Sequence, residues 1–187
     1  MDSIMMVVSR MSHPVQTPTM QDVRLLQHEE RMALLSGPTV TLRHRVLTIE
    51  VPKRALMAFS PVLNSHLVTQ PTTSEIRFDY EADQVTTFAF KAIVQFMNEC
   101  IVLGQRVRLD HGYCVKNAIE MYRFGRLLGW TTYLEDISSF LEEQLPCPSK
   151  GEIFGRMELA LFQTLDSQDM IYRRLVDILE RDQFGDS

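Results

Sequence analysis

The chain has 187 residues, 45% of them hydrophobic and 23% charged, with a formal net charge of -5. That length supports one hydrophobic core, with or without a helical extension. The acidic balance argues against the basic face of a nucleic-acid reader, and no apolar run has the length of a membrane span.

Residues 1–20 read as a flexible N-terminal tail, because Pro14, Pro18 and several Ser and Thr block a long helix. The opening stretch 1–8 is apolar but lacks a basic leader, so no signal peptide is read. Met1, Met5, Met6, Met11, Met20 and Met32 make this region methionine-rich, a composition that suits either a disordered tail or an adaptable packing arm. Residues 21–35 predict one helix, with Val23, Leu26, Ala33, Leu34 and Leu35 as its apolar side, stopped by Ser36-Gly37-Pro38.

Val40 and Leu42, then the run 46–51, predict a hairpin of two strands turning around Arg43-His44-Arg45. Pro52 ends the second strand, since it has no N–H for a ladder. Ala55, Leu56, Met57 and Phe59 then make a short apolar helix. Ser60-Pro61 restarts the helix, Ser60 as N-cap and Pro61 at the first position, and Val62, Leu63 and Leu67 continue the apolar face. Residues 75–80 alternate as a half-buried strand around Ile76 and Phe78.

Asp83 is read as the cap of a long helix carrying Val85, Phe88, Ala89, Ile93, Phe96 and Met97 at helical spacing. Leu56 and Phe88 are both expected in the core. Gly104 ends that helix, and Val107 and Leu109 suggest a short strand. Residues 113–128 form a further helix, stopped by Gly129. Another starts at Thr131 or Thr132 and carries Leu134, Ile137, Phe140, Leu141 and Leu145 up to Pro146. A linker at 147–151 leads to two last helices, 152–165 and 168–182.

The order strand, short helix, Ser60-Pro61, second short helix resembles the BTB/POZ domain, whose hallmark strand ends in a Val-His-Lys-type step. Here the step is Val51-Pro52-Lys53. Leu34-Leu35-Ser36-Gly37, Phe124-Gly125-Arg126-Leu127-Leu128-Gly129 and Arg173-Arg174-Leu175-Val176-Asp177 resemble steps found in stand-alone BTB proteins of filamentous fungi. The resemblance covers about 21–182. It implies an α+β fold: a small mixed sheet packed against a helical cluster, with two extra C-terminal helices. The expected organisation is a tail at 1–20, a BTB/POZ-like domain at 21–146 and a helical extension at 147–187.

Nothing in the sequence spells catalysis. His13, His28, His44, His66 and His111 share no metal-ligand spacing with each other or with the cysteines, and His111 with Cys114 cannot close a tetrahedral site. There is no phosphate-binding glycine loop and no nucleophile elbow. No cofactor or metal is expected. Arg43-His44-Arg45, with Lys53 and Arg54 nearby, is the most basic cluster; it reads as a solvated hairpin turn, with contact to nucleic acid or an acidic peptide as the alternative. Cys100, Cys114 and Cys147 are odd in number and widely spaced, which suits free thiols in an intracellular compartment, cytoplasm or nucleus.

The resemblance implies protein partners. One family use is self-association, through a homodimer or a scaffold. In many dimeric members a buried Asp before the first strand and the His of the Val-His-Lys step line a charged pocket; Thr39 and Pro52 stand there in this chain. Some dimeric members also exchange an N-terminal strand, for which residues 4–8 are the matching stretch. The other use is docking a cullin as adaptor of a ubiquitin ligase, through a hydrophobic-x-Glu motif. Aligning the Phe-Ile/Leu-Tyr-like step on Phe96-Met97-Asn98 puts that motif on Phe90-Lys91-Ala92, where Ala92 replaces the glutamate. No zinc-finger, Kelch or MATH-like stretch accompanies it. The candidate partner-binding residues are Phe90, Phe96 and Met97 for a cullin, and Leu25 and Leu26 for self-association. A self-associating or scaffold module without catalytic activity is the leading expectation.

Overall fold

The computed structural model describes residues 21–78, 85–112, 114–145, 162–163 and 165–184. The tail at 1–20 with its strand at 4–8, the Asp83 cap, the linker at 147–151 and most of the helix at 152–165 lie outside the described residues. The described chain is a mixed α+β fold of three strands and seven α-helices.

Strand β1 (Thr39–His44) is central, with β2 (Leu47–Pro52) antiparallel on one side and β3 (Glu75–Arg77) parallel on the other. Alternation along β1 turns Val40, Leu42 and His44 inward. A parallel partner cannot be reached by a tight turn, and the crossover is supplied by helices α2 (Lys53–Phe59) and α3 (Pro61–Thr69). The hairpin turn sits one step later than expected. β1 runs on through His44, whose Nδ1–H donates to the Phe78 carbonyl at 3.0 Å and whose ring lies 5.6 Å from that of Phe90. Arg45 turns the chain at a φ of 56°, and Val46 is not in a strand but 98% exposed at the tip. The basic cluster is therefore divided, with His44 in the core between two outward arginines.

Ser60 separates α2 from α3 as anticipated. Its backbone is extended, its Oγ accepts from the Leu63 N–H at 3.0 Å, and Pro61 opens α3. The same Oγ donates to the Leu128 carbonyl at 2.6 Å.

Helix α4 (Thr87–Leu103) runs through the middle of the core and buries Ala89, Phe90, Ile93, Val94, Phe96, Met97, Cys100 and Ile101. Thr86 caps it, its Oγ accepting from the Ala89 N–H at 3.1 Å. Phe88 corrects the sequence reading: it is 40% exposed, because it falls on the side of α4 opposite that arc. Gly104 ends the helix at a φ of 69°. A 3-10 turn (Gly104–Arg106) follows, so Val107 and Leu109 are buried without joining the sheet.

Helix α5 (Val115–Leu127) packs on α4. Gly125 lets Leu134 approach; a Cβ there would stand 2.6 Å from Leu134 Cδ2. A 3-10 turn (Thr132–Leu134) leads into α6 (Glu135–Glu143). The last helix, α7 (Met170–Phe184), buries Ile171 and Leu175 in the same core as Phe162, Leu165 and the rest. The described part of the C-terminal extension thus packs on the α5–α6 layer and has no core of its own.

Candidate interaction surface

The stretch 21–35 is not one helix. Val23–Leu25 is a 3-10 turn capped by Asp22, whose carboxylate accepts from the Arg24 N–H at 2.9 Å and pairs with the Arg24 guanidinium at 2.7 Å. Leu26 and Gln27 are extended, and helix α1 (His28–Ala33) starts afresh from a Gln27/Glu30 capping box. The Val23 N–H donates to the Tyr133 hydroxyl at 2.8 Å, and Val23 itself is buried, which anchors the start of the segment to the core. Arg24 also lies over the Tyr133 ring, 5.2 Å from its centroid, within cation–π range. The Asp22 hydrogen bond holds the Arg24 guanidinium above its ordinary pKa, and burial pushes the Tyr133 hydroxyl up.

Arg31 joins this segment to the core. Its Nη1–H donates to the Leu26 carbonyl at 2.6 Å and its Nε–H to the Ile101 carbonyl at 3.0 Å. The first acceptor belongs to the break before α1 and the second to the last turn of α4, where carbonyls lack helical partners. The guanidinium lies against Gly104, where a Cβ would come within 2.8 Å of Arg31 Cζ.

α1 itself buries nothing. Leu25 is 57% exposed, and Met32 and Leu35 are also open, while Leu26 and Leu34 pack partly on the core. Val102 and Leu103 are exposed beside the two residues that Arg31 touches. Exposed apolar groups on elements in contact mark a candidate binding surface.

The predicted site residues thus divide. Leu25 is at the surface and Leu26 is half-buried. Phe90, Phe96 and Met97 are core residues: Phe90 is wholly buried between the rings of Phe78 and Phe124, and Phe96 packs against Trp130 and Tyr133. Each is at most 2% exposed, and Phe96 also lines the groove on the outer face of α4. The outer face of α4 instead presents Phe88, Lys91, Ala92 and Gln95, which with Arg108, Leu109 and Asp110 line a groove of about 320 Å³. Phe88 and Met32 were open to discovery from helical spacing; Val102 and Leu103 were not, because nothing in the sequence says which element covers the end of α4.

Thr39 and Pro52 are direct cross-strand partners. The positions matched to a charged pocket are adjacent in space here, but carry a hydroxyl and an imino ring.

A second hollow, about 420 Å³, lies between α5 and the approach to α7 and is lined by Tyr122, Arg126, Leu165 and Asp169 among others. Asp169 is buried. Its Oδ2 accepts from the Tyr122 hydroxyl at 2.9 Å and its Oδ1 from the Ile171 N–H at 2.9 Å, with Arg126 Nε at 3.7 Å. Burial, with Asp169 adding to it, pushes the Tyr122 hydroxyl up to about 12. Burial likewise pushes the Cys100 thiol up to about 12, the opposite of what a nucleophilic thiolate requires. Among the described residues no three His, Cys, Asp or Glu converge as metal ligands, and no helix is long and apolar enough to cross a membrane.

No known family model matches the chain, and no curated protein matches it either.

Proposed function

We propose that this chain is a protein-interaction module of the BTB/POZ type that associates with a second copy of itself, acting as a scaffold and not as an enzyme. One observation carries the reading: Leu25, Met32 and Leu35 are exposed on a segment that buries only Val23, and Val102 and Leu103 are exposed at the end of α4, the helix that α1 contacts. A helix with no buried residue gains little from its own packing, and its apolar groups gain by meeting others. The small mixed sheet, the paired helices across Ser60-Pro61 and the parallel third strand support the family part of the reading. Sedimentation equilibrium of the full chain tests it. A concentration-dependent dimer, lost in Met32→Glu, is the expected result; a monomer at every concentration rejects it.

A second reading, adaptor of a cullin-based ubiquitin ligase, draws on the groove along the outer face of α4. The motif's hydrophobic position, Phe90, is inside, so any such contact falls to Phe88 and Lys91. A pull-down from cell extract, with Phe88→Asp as control, decides it. Recovery of a cullin with the wild-type chain, lost in the variant, is the supporting result.

A further inference from the structure

We infer that the outer edge of β2 is a further self-association site, at which the β2 strands of two copies pair antiparallel about a two-fold axis through Ile49. The site is separate from the surface around α1 and stands whether or not that surface is used.

β2 has β1 on one side and, among the described residues, no strand on the other. The hydrogen bonds of β1 tell which backbone groups are left free. The Thr41 N–H donates to the Ser74 carbonyl and the Arg43 carbonyl accepts from the Phe78 N–H, both at 2.8 Å, so these residues turn their backbone toward β3. Alternation then turns Val40, Leu42 and His44 toward β2, where Val51, Ile49 and Leu47 are their partners. Thr48 and Glu50 are left pointing N–H and C=O away from the sheet, and both are exposed. Two such residues flanking one position make a self-matching edge. With Ile49 opposite Ile49 of the second copy, Thr48 falls opposite Glu50 and exchanges both backbone bonds with it, on each side of the axis. On the helix side of the sheet, the half-buried Leu47 and Ile49 then meet Val51 and Ile49 of the second copy. Val46, 98% exposed at the turn, comes level with Pro52, where the ladder stops for want of an N–H.

Charge selects both the occupant and the register. The open face of the sheet carries one row of Thr48, Arg43 and Arg77 and another of Glu50, Thr41 and Glu75. A single copy is thus polarised along its strands. The two-fold axis reverses that order, so the arginine row of each copy runs on into the glutamate row of the other. Arg77 already pairs with Glu75 along β3, whereas Arg43 and Glu50 have no ion pair among the described residues. Across the junction only Thr48 stands between them, at about 10 Å from Cα to Cα, a span that two long side chains bridge. A charged residue on an edge strand commonly guards against pairing. Here it admits one register: centring on Glu50 sets two carboxylates face to face, and centring on Ile49 sets each opposite a threonine. Arg45 and Lys53 come level at the two ends of the junction. Arg45 has left the strand at a φ of 56°, the Lys53 ammonium is held by the Pro71 carbonyl at 2.6 Å, and the neighbouring Arg54 donates to Ser36.

The test uses the full-length chain carrying Met32→Glu, so that the edge is read without the α1 contact. The edge contact is small beside a standard interface, so association is expected only at the top of the concentration range, above that in which the α1 dimer is judged. Sedimentation equilibrium there should show monomer and dimer. Amide exchange at Thr48 and Glu50 should slow as concentration rises, while that at Leu42, already inside the ladder, should not change. Adding Glu50→Arg should weaken this dimer by about tenfold, since the axis repeats the altered contact, and Arg43→Glu on top of it should recover much of the loss. Thr48→Pro, whose missing N–H faces solvent in the monomer, is tolerated on an edge strand and should abolish the dimer. If Met32→Glu stays monomeric throughout, with exchange at Thr48 and Glu50 unchanged, the edge site is rejected and the α1 reading is untouched. If it dimerises but Thr48→Pro and Glu50→Arg dimerise as well as it does, the contact lies elsewhere and the edge site is again rejected. If Thr48 and Glu50 are protected in the monomer at every concentration, another part of the same chain holds the edge, and the second copy is rejected as its occupant.

Discussion

The Ser60 hydroxyl and the Leu128 carbonyl meet at 2.6 Å across 68 residues of chain. Ser60 is buried and bonds in two directions, capping α3 through the Leu63 N–H and tying it to the end of α5. Ser60→Ala removes the cap and leaves a buried carbonyl without its donor. A loss of roughly 1–3 kcal/mol is expected, read as a lower urea midpoint with unchanged slope.

Phe88 and Phe90 sit two residues apart on α4 and should answer differently to the same change. Phe90→Ala empties a site among Phe78, Phe124 and His44 and should cost roughly 3–5 kcal/mol. Phe88→Ala trims an exposed ring and should stay within about 0.5 kcal/mol. Leu56→Ala, wholly buried, belongs with Phe90 at roughly 2–5 kcal/mol. Urea unfolding of the three variants side by side checks the assignment of faces.

Asp169 fastens α7. Asp169→Ala removes the acceptor for both Tyr122 and the Ile171 N–H, and its loss should cost roughly 1–3 kcal/mol. The effect should be uneven: amides of α7 should exchange faster while those of α4 keep their protection. Arg174, which pairs with Glu142 at 2.6 Å on the surface, should matter far less, since exposed ion pairs contribute little.

Alkaline pH should destabilise the fold. The folded pKa values of Cys100 and Tyr122 are raised from 9.0 and 10.0 to about 12. The folded state therefore holds these protons more tightly than the unfolded chain does. The stabilisation is full below the unfolded values and is lost as pH climbs from about 9 toward 12. Tyr133 adds in the same direction. Urea midpoints measured across that window should fall, and Tyr122→Phe with Cys100→Ala should flatten the slope.

How far the sequence disclosed this molecule depended on whether a signal was local. Ser60-Pro61, Gly104 and Gly129 act on their own neighbours, and each ends or starts a helix as read. Gly129 also shows the limit. Its φ of 76° follows from its role as a stop, but the Pro61 side chain, 2.8 Å from where a Cβ would lie, belongs to a helix far away in sequence. The sequence predicts the hairpin turn one step early, since His44 is typical of a turn and only its contacts with Phe78 and Phe90 put it in the core. Regular apolar spacing predicts one continuous N-terminal helix, whereas Leu26 and Gln27 are extended and Arg31 reaches back to the Leu26 carbonyl, a contact that spacing does not encode. Phe90 and Phe96, which the sequence offers to a partner, lie on the stripe of α4 that the core buries. A periodic stripe cannot by itself distinguish the core from a docking face.

Trp130, the chain's one tryptophan, is buried against Phe59, Phe96 and Tyr133. Its indole is thus an internal fluorescent probe in a dry, aromatic setting, with no label required. Tyr133 links that probe to the Val23 N–H and, through its ring, to Arg24. Excited near its red edge, this single emitter would report the melting of the core as a red shift, and a detachment of residues 22–25 as a change in quenching without one. One cuvette could therefore separate loss of the fold from loss of the arm.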